Sequence, residues 1–328
     1  MKRGTLKLLL SSIATASCAV SLTASTFAYV MIGNSVEVTD FYFDIEGQEG
    51  LLISLDGENF QQDITSDQLK TSIATSVEAF DAKKFIGVTP LQDAGHIKYT
   101  DGKIDFGYDV ADTVNPVHRY EAAEANTDYI RFDLWFKAIS TITTSTSNFN
   151  IEFGQNTVIN SITERVDIEN TFTVGTLNYG PKSDIKFVNQ SVKNAIRLGL
   201  YSENETTDKL RIYEVTDSND LGTTAIEGRT DSHNPSSNIM YNYYNVIHPL
   251  YPFTKGAEDG EAYDTVKQFG TLTNNVWNGE HVSKFDENGI AKVTVYIWLE
   301  GWDADYLLGT SATASEIGAT LEFTLTTN

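Results

Sequence analysis

The chain has one cysteine in 328 residues, Cys18. A lone thiol cannot close an intrachain disulfide, so stapling of that kind is excluded. Residues 29–328 contain no thiol, which removes thiolate chemistry from them. Basic residues are also scarce. Lys and Arg number 23 against 45 Asp and Glu, a formal charge of -22. Lys2, Arg3 and Lys7 are the only charged side chains before Tyr29, so residues 29–328 carry 20 basic and 45 acidic groups, a formal -25. A surface that neutralises phosphates needs clustered Lys and Arg. None occurs here, which argues against a nucleic-acid partner and against docking on anionic lipid. After residue 28 no apolar run is long enough to span a bilayer.

Catalytic motifs are missing too. The five histidines, His96, His118, His233, His248 and His281, form no His-Glu-x-x-His pair, so the helical zinc-protease motif is absent. There is no Gly-x-Ser-x-Gly nucleophile elbow and no Gly-rich phosphate loop. The acids are numerous enough to supply a carboxylate pair for glycoside hydrolysis, but sequence cannot pair them. The expectation is a protein that is not an enzyme. A secreted hydrolase with a site invisible in sequence is one alternative.

The N-terminus reads as an export signal. Lys2, Arg3 and Lys7 precede a largely apolar, uncharged stretch from Leu8 to about Ala24. Thr26-Phe27-Ala28 then places small residues at the -3 and -1 positions of a cleavage site. Residues 1–28 are therefore expected to be a signal peptide, and the protein secreted or held at the cell surface. A retained anchor is the alternative, though five Ser, three Thr and five Ala between Leu8 and Ala28 make this a weak spanning helix. Thr15-Ala16-Ser17-Cys18 departs from a lipoprotein box at Thr15.

Residues 29–328 are 300 in number, and the whole chain is 41% hydrophobic and 11% aromatic. That suffices for a folded core and excludes general disorder. Period-two alternation dominates. Ile130, Phe132, Leu134 and Phe136 share one face of a strand, as do Val293, Val295, Ile297 and Leu299, and Leu321, Phe323 and Leu325. Shorter examples are Phe41/Phe43/Ile45, Leu51/Ile53/Leu55, Phe149/Ile151/Phe153 and Ile196/Leu198/Leu200. Such strands suit antiparallel sheets with one buried face. Asp56-Gly57, Asp101-Gly102 and Asn288-Gly289 lie between strands and suit the positive φ of tight hairpins. One helix is predicted over about 66–80, from Leu69, Ile73, Val77 and Phe80 on one face and a Thr65/Gln68 capping box. The predicted fold is mainly β: an antiparallel β-sandwich of jelly-roll type with one or two short helices and long loop insertions. Residues 29–328 are read as one domain with a loop-rich insertion around 202–290, a second small domain being the alternative there.

Three stretches carry a resemblance. Thr26-Phe27-Ala28-Tyr29 closes the signal with an Ala-aromatic step. Gly50-Leu51-Leu52-Ile53-Ser54-Leu55-Asp56-Gly57 gives a strand and turn, and Val295-Tyr296-Ile297-Trp298-Leu299-Glu300-Gly301-Trp302-Asp303-Ala304-Asp305 follows near the C-terminus. Together they resemble uncharacterised exported surface proteins of low-GC Gram-positive bacteria. The signal peptides of that group are similar to those of the TasA/camelysin family of biofilm-matrix fibre proteins. The glycine often found before the Ala-aromatic step is lacking. The resemblance implies a jelly-roll subunit at the cell surface or in the matrix, joined to its neighbours by β-strand addition. The donor would be the segment Tyr29 to Val38, in which Val30, Ile32, Val36 and Val38 alternate with Met31, Gly33, Ser35 and Glu37. The same segment would serve equally as an ordinary first strand of its own sandwich.

Two acidic clusters are candidate calcium sites: Glu300, Asp303 and Asp305, and Glu258, Asp259, Glu261 and Asp264. Loop oxygens suit Ca²⁺, but neither cluster has EF-hand spacing, and solvated turns read equally well. No other cofactor is expected. Tyr241, Tyr243, Tyr244, Tyr251 and Phe253 form an aromatic loop tract, a candidate contact surface for glycan or protein. The expected role is structural or adhesive, with self-assembly or a protein or glycan partner. A glycan-binding or adhesion module using this aromatic loop is the first alternative, ahead of the hydrolase. Asn189-Gln190-Ser191 and Asn204-Glu205-Thr206 match glycosylation acceptors, as short motifs often do by chance.

Overall fold

The computed structural model describes residues 35–36, 38–47, 50–81, 85–93, 96–110, 119–139, 149–161, 166–168, 172–174, 177–179, 187–190, 196–214, 269–301 and 315–327. Fifteen strands build the two main sheets. They are β1 (Ser35–Val36), β2 (Val38–Gly47), β3 (Leu51–Ser54), β4 (Asp63–Ile64), β5 (Phe85–Pro90), β6 (Phe106–Val110), β7 (Arg119–Ala122), β8 (Ile130–Ala138), β9 (Phe149–Phe153), β10 (Val158–Ser161), β11 (Ile196–Ser202), β12 (Leu210–Glu214), β13 (His281–Lys284), β14 (Ile290–Glu300) and β15 (Ser315–Thr327). The nine-stranded sheet runs β7-β6-β5-β14-β8-β3, with β1 on β5, β11 on β14 and β12 on β11. The six-stranded sheet runs β13-β9-β15-β2-β4, with β10 on β15.

The alternating strands explain why these sheets face each other. Ile130, Phe132, Leu134 and Phe136 are all buried, as are Val293, Val295, Ile297 and Leu299 from the same sheet. Opposite them lie Ile45, Phe149, Ile151, Phe153, Leu321 and Phe323, in one continuous apolar cluster. Phe136 meets Phe323 edge-on across the gap, ring centroids 4.9 Å apart. The molecule is mainly β, two sheets on one core, as the periodicity predicts. Most pairings are antiparallel, but β2 runs parallel to β15 and β5 parallel to β14.

Strand β14 departs from a simple one-face pattern. The sequence assigns Tyr296, Trp298 and Glu300 to a polar face, yet all three are buried. A second apolar cluster of Val88, Ile104, Phe106, Tyr129, Ile212, Tyr296 and Trp298 covers that face. Phe106 is its centre, with ring centroids 4.3 Å from Tyr129, 5.2 Å from Trp298 and 6.0 Å from Tyr296. Burial pushes the Tyr296 phenol up to about 12. Trp298 is thus covered by side chains of the same fold. Gly199 on the neighbouring strand makes room for it, since a Cβ there would lie 3.1 Å from the indole.

The predicted helix becomes two, α1 (Ser66–Ile73) and α2 (Val77–Asp81). The Thr65/Gln68 capping box forms as expected. The break has a local cause. Ser76 Oγ accepts the Ala79 N–H at 3.1 Å and so caps a fresh start, a role serine fills better than a helix interior. Leu69 and Phe80 stay buried on the common apolar side. The α1 N-terminus touches β2, where the Asp44 carboxylate accepts the Ser66 N–H at 3.3 Å.

Turn expectations divide. Asp101 and Gly102 both have positive φ and join the short strands Tyr99–Thr100 and Lys103–Ile104 as a tight hairpin. Asn288-Gly289 is not a hairpin turn. Gly289 has φ +73°, but β13 before it belongs to the six-stranded sheet and β14 after it to the nine-stranded one. The turn therefore carries the chain between layers. In the expected insertion, residues 215–268 lie outside the described residues, while β12 and β13 at its two ends are strands of the sandwich.

Candidate functional site

Polar chemistry concentrates where β12 and β13, from different sheets, come side by side. The turn between β11 and β12 reaches across to β13. Ser202 Oγ lies 2.7 Å from Ser283 Oγ, both buried. Asn204 Nδ2 donates to the Lys284 carbonyl at 2.9 Å and the Ile290 carbonyl at 3.3 Å. This is the amide that glycosylation at Asn204 would use, and the fold has already engaged it.

Glu205 is the centre of the cluster, with only 4% of its side chain exposed. Its Oε1 lies 2.7 Å from His281 Nε2. Its Oε2 lies 3.4 Å from Lys284 Nζ and 3.9 Å from Arg211 Nη2. Burial alone would raise the Glu205 carboxyl. The His281 hydrogen bond and charge, with Lys284 and Arg211, outweigh it and hold the group below the usual glutamate range. Arg211 Nη1 also donates to the Val282 carbonyl at 3.4 Å, and the Tyr213 hydroxyl to the His281 carbonyl at 3.0 Å. Burial pushes the Tyr213 phenol far up. A carboxylate on an imidazole is the orienting half of a nucleophilic triad. Among the described residues no hydroxyl hydrogen-bonds the His281 ring. The geometry instead joins the two sheet edges by side chains bonded to backbone.

A second buried carboxylate, Glu322, sits on β15. It accepts the Asn156 N–H at 2.8 Å and Asn156 Nδ2 at 3.0 Å. Thr157 Oγ1 accepts the Glu322 N–H at 3.1 Å and is 2.9 Å from the Glu322 carbonyl, to which it donates. Gly154 N–H donates to that same carbonyl at 2.7 Å. Only glycine fits at 154, because a Cβ would lie 2.1 Å from Glu322 Oε2.

A projecting hairpin is the third feature, and the sequence reading missed it. Strands Gly270–Thr273 and Val276–Gly279 join through Asn274 and Asn275, both at positive φ. Residues 269–279 contain no charged side chain. Trp277 Nε1 donates to the Phe153 carbonyl at 2.8 Å and anchors the base. At 279 a Cβ would lie 2.0 Å from the Phe153 oxygen, so glycine permits this approach. Beyond the anchor, Leu272 is 58% and Val276 60% exposed. They belong to successive cross-strand pairs and so sit on opposite faces. The Asn-Asn step within an uncharged, alternating run was the available signal.

The sequence candidates fall as follows. Glu300 is fully buried, and its Oε2 accepts the Trp298 indole N–H at 3.0 Å. Asp303 and Asp305 lie outside the described residues, as do Glu258, Asp259, Glu261 and Asp264. Among the described residues no three His, Cys, Asp or Glu side chains gather to hold a metal ion. Val36 pairs with Phe85 of β5, and Val38 pairs with Ser315 of β15, both within this chain. Val30 and Ile32 lie outside the described residues, as do residues 1–28 and Tyr241, Tyr243, Tyr244, Tyr251 and Phe253. No helix among the described residues is long and apolar enough to cross a membrane. No family model, curated protein or solved structure matches the chain.

Proposed function

We propose that this is an exported structural or adhesive protein of the cell surface or extracellular matrix, a jelly-roll type sandwich that works through contact surfaces. The reading joins the export signal at residues 1–28 to one observation, the uncharged hairpin at 270–279 with Leu272 and Val276 bare to solvent. On a chain of formal charge -22, an uncharged apolar projection suits contact with another macromolecule or a second copy. Assembly by β-strand addition is the mode the family resemblance supports, with Val30 and Ile32 of the expected donor segment left to add to a neighbour, since Val36 and Val38 pair within their own chain. Secretion, surface residence and assembly stand or fall together in one experiment. The secreted chain is expected to remain on the producing cells or to form oligomers in sedimentation and electron microscopy. The double variant L272D/V276D should lower retention or assembly about tenfold, the loss of two buried apolar contacts, at unchanged melting temperature. Retention and sedimentation identical in the variant would refute the hairpin's role. A wild-type chain that is monomeric and unbound at every concentration would refute the whole reading.

A further inference from the structure

We propose that the fold is a load-bearing module, in which tension between the two ends of the chain is carried in shear by the β2–β15 ladder. This goes beyond the adhesive reading, because it concerns how the sandwich resists force whatever its hairpin binds.

Direction of the strands is the first ground. β2 and β15 are parallel over nine register pairs, from Val38↔Ser315 to Gly47↔Phe323. The chain enters β2 beside Ser315 and leaves β15 beyond Phe323, so the two leads depart from opposite ends of one ladder. Pulling them apart drags β2 and β15 past each other along their own axes. Every rung is then strained at once, and none can yield alone. Were the strands antiparallel, the same leads would depart from one end and the rungs would open one at a time.

The surroundings of β15 are the second ground. It is an interior strand, with β2 on one side and β9 and β10 on the other. Residues 323–327 pair with β9 and residues 317–320 with β10, so sliding β15 also shears those rungs. Glu322 acts as a bolt across the direction of sliding. Its carboxylate is held by Asn156, and its backbone by Gly154 and Thr157. Withdrawing it would expose a buried carboxylate's partners and break several hydrogen bonds together, which is costly in a protein interior.

The rungs can be cut selectively. Gly47 N–H points away from β15, to the Gln62 carbonyl at 2.8 Å. Backbone direction alternates along a strand, so the Asp44 N–H points toward β15. The Asp44 side chain is exposed. Asp44→Pro therefore deletes a ladder donor without emptying the core, and Asp44→Ala keeps the donor while sharing the loss of the Ser66 contact, so the difference between them reads the rung alone.

Force spectroscopy on residues 29–328 tests the proposal, since forced unfolding reads the unfolding barrier directly. With no cysteine after Cys18, a single introduced thiol gives an unambiguous handle. One protein is held by tags at its two ends. A second, E58C, is held at 58 and at the C-terminal tag, which draws the short β3 off β8 and then peels the ladder from its Gly47–Phe323 end. End-to-end unfolding should need at least about twice the force of the 58-to-end geometry. D44P should lower the end-to-end force by about half and leave the peeling force unchanged, while D44A behaves as wild type. Equal forces in the two geometries overturn the proposal, with or without a folded D44P. So does an end-to-end force that D44P does not lower.

Discussion

Glu205 and Glu322 show how single carboxylates are taken out of water by this acidic chain. Each is 4% exposed, and each is held by groups distant in sequence. For Glu205 the consequence is a pH dependence of known sign. Its carboxyl titrates lower in the folded chain than the ordinary value near 4.5. The stabilisation is complete above that value and is lost as pH falls through the lower folded one. Glu205→Gln should therefore lower the melting temperature at neutral pH and shrink the gap to wild type as pH drops below about 4.5. A gap that is constant from neutral to acid pH would show that the charge is irrelevant. None of this was legible in sequence. Alternation placed Glu322 on an outward face, and Glu205 stood only inside a short acceptor motif. A carboxylate's burial depends on partners such as His281 and Asn156, which local pattern does not reveal.

At the level of elements, local physics was readable where one rule decided the outcome. The capping box at Thr65 and Gln68 is such a case. Thr65→Ala should cost about 1 kcal/mol in urea unfolding, with an unchanged denaturant slope. A cost near zero would mean that tertiary packing alone holds α1. The strands with one buried face were legible for the same reason. What failed needed knowledge of a neighbour. Tyr296 and Trp298 are buried because Phe106 of β6, with Val88, Ile104, Tyr129 and Ile212, covers that face, which period two cannot announce. Asn288-Gly289 was read as a hairpin because its backbone chemistry is right, yet its flanking strands join different sheets. The predicted single helix is two because Ser76, inside its span, caps a fresh start at Val77, which the apolar stripe of Leu69, Ile73, Val77 and Phe80 does not register.

Across the whole molecule, stability rests on the shared core, because one cysteine offers no intrachain disulfide. Phe136 and Phe323, both fully buried, bridge the two sheets. Phe136→Ala should destabilise the protein by about 3–5 kcal/mol, measured by chemical denaturation. A loss below about 1 kcal/mol would mean that the sheets are held by the polar latch at Glu205 and not by apolar packing.

The pairing of Val38 with Ser315 also dictates when folding can happen. As the ribosome works from one end, β2 is among the first strands made and β15 among the last. Until β15 emerges, the six-stranded sheet lacks its interior strand, and β2, β9 and β10 have nothing to pair with there. The nascent polypeptide is thus kept from premature closure by topology alone. Its contacts span long sequence separations, so closure of this sheet is slow and waits for β15. A chain wired in this way stays threadable until β15 arrives.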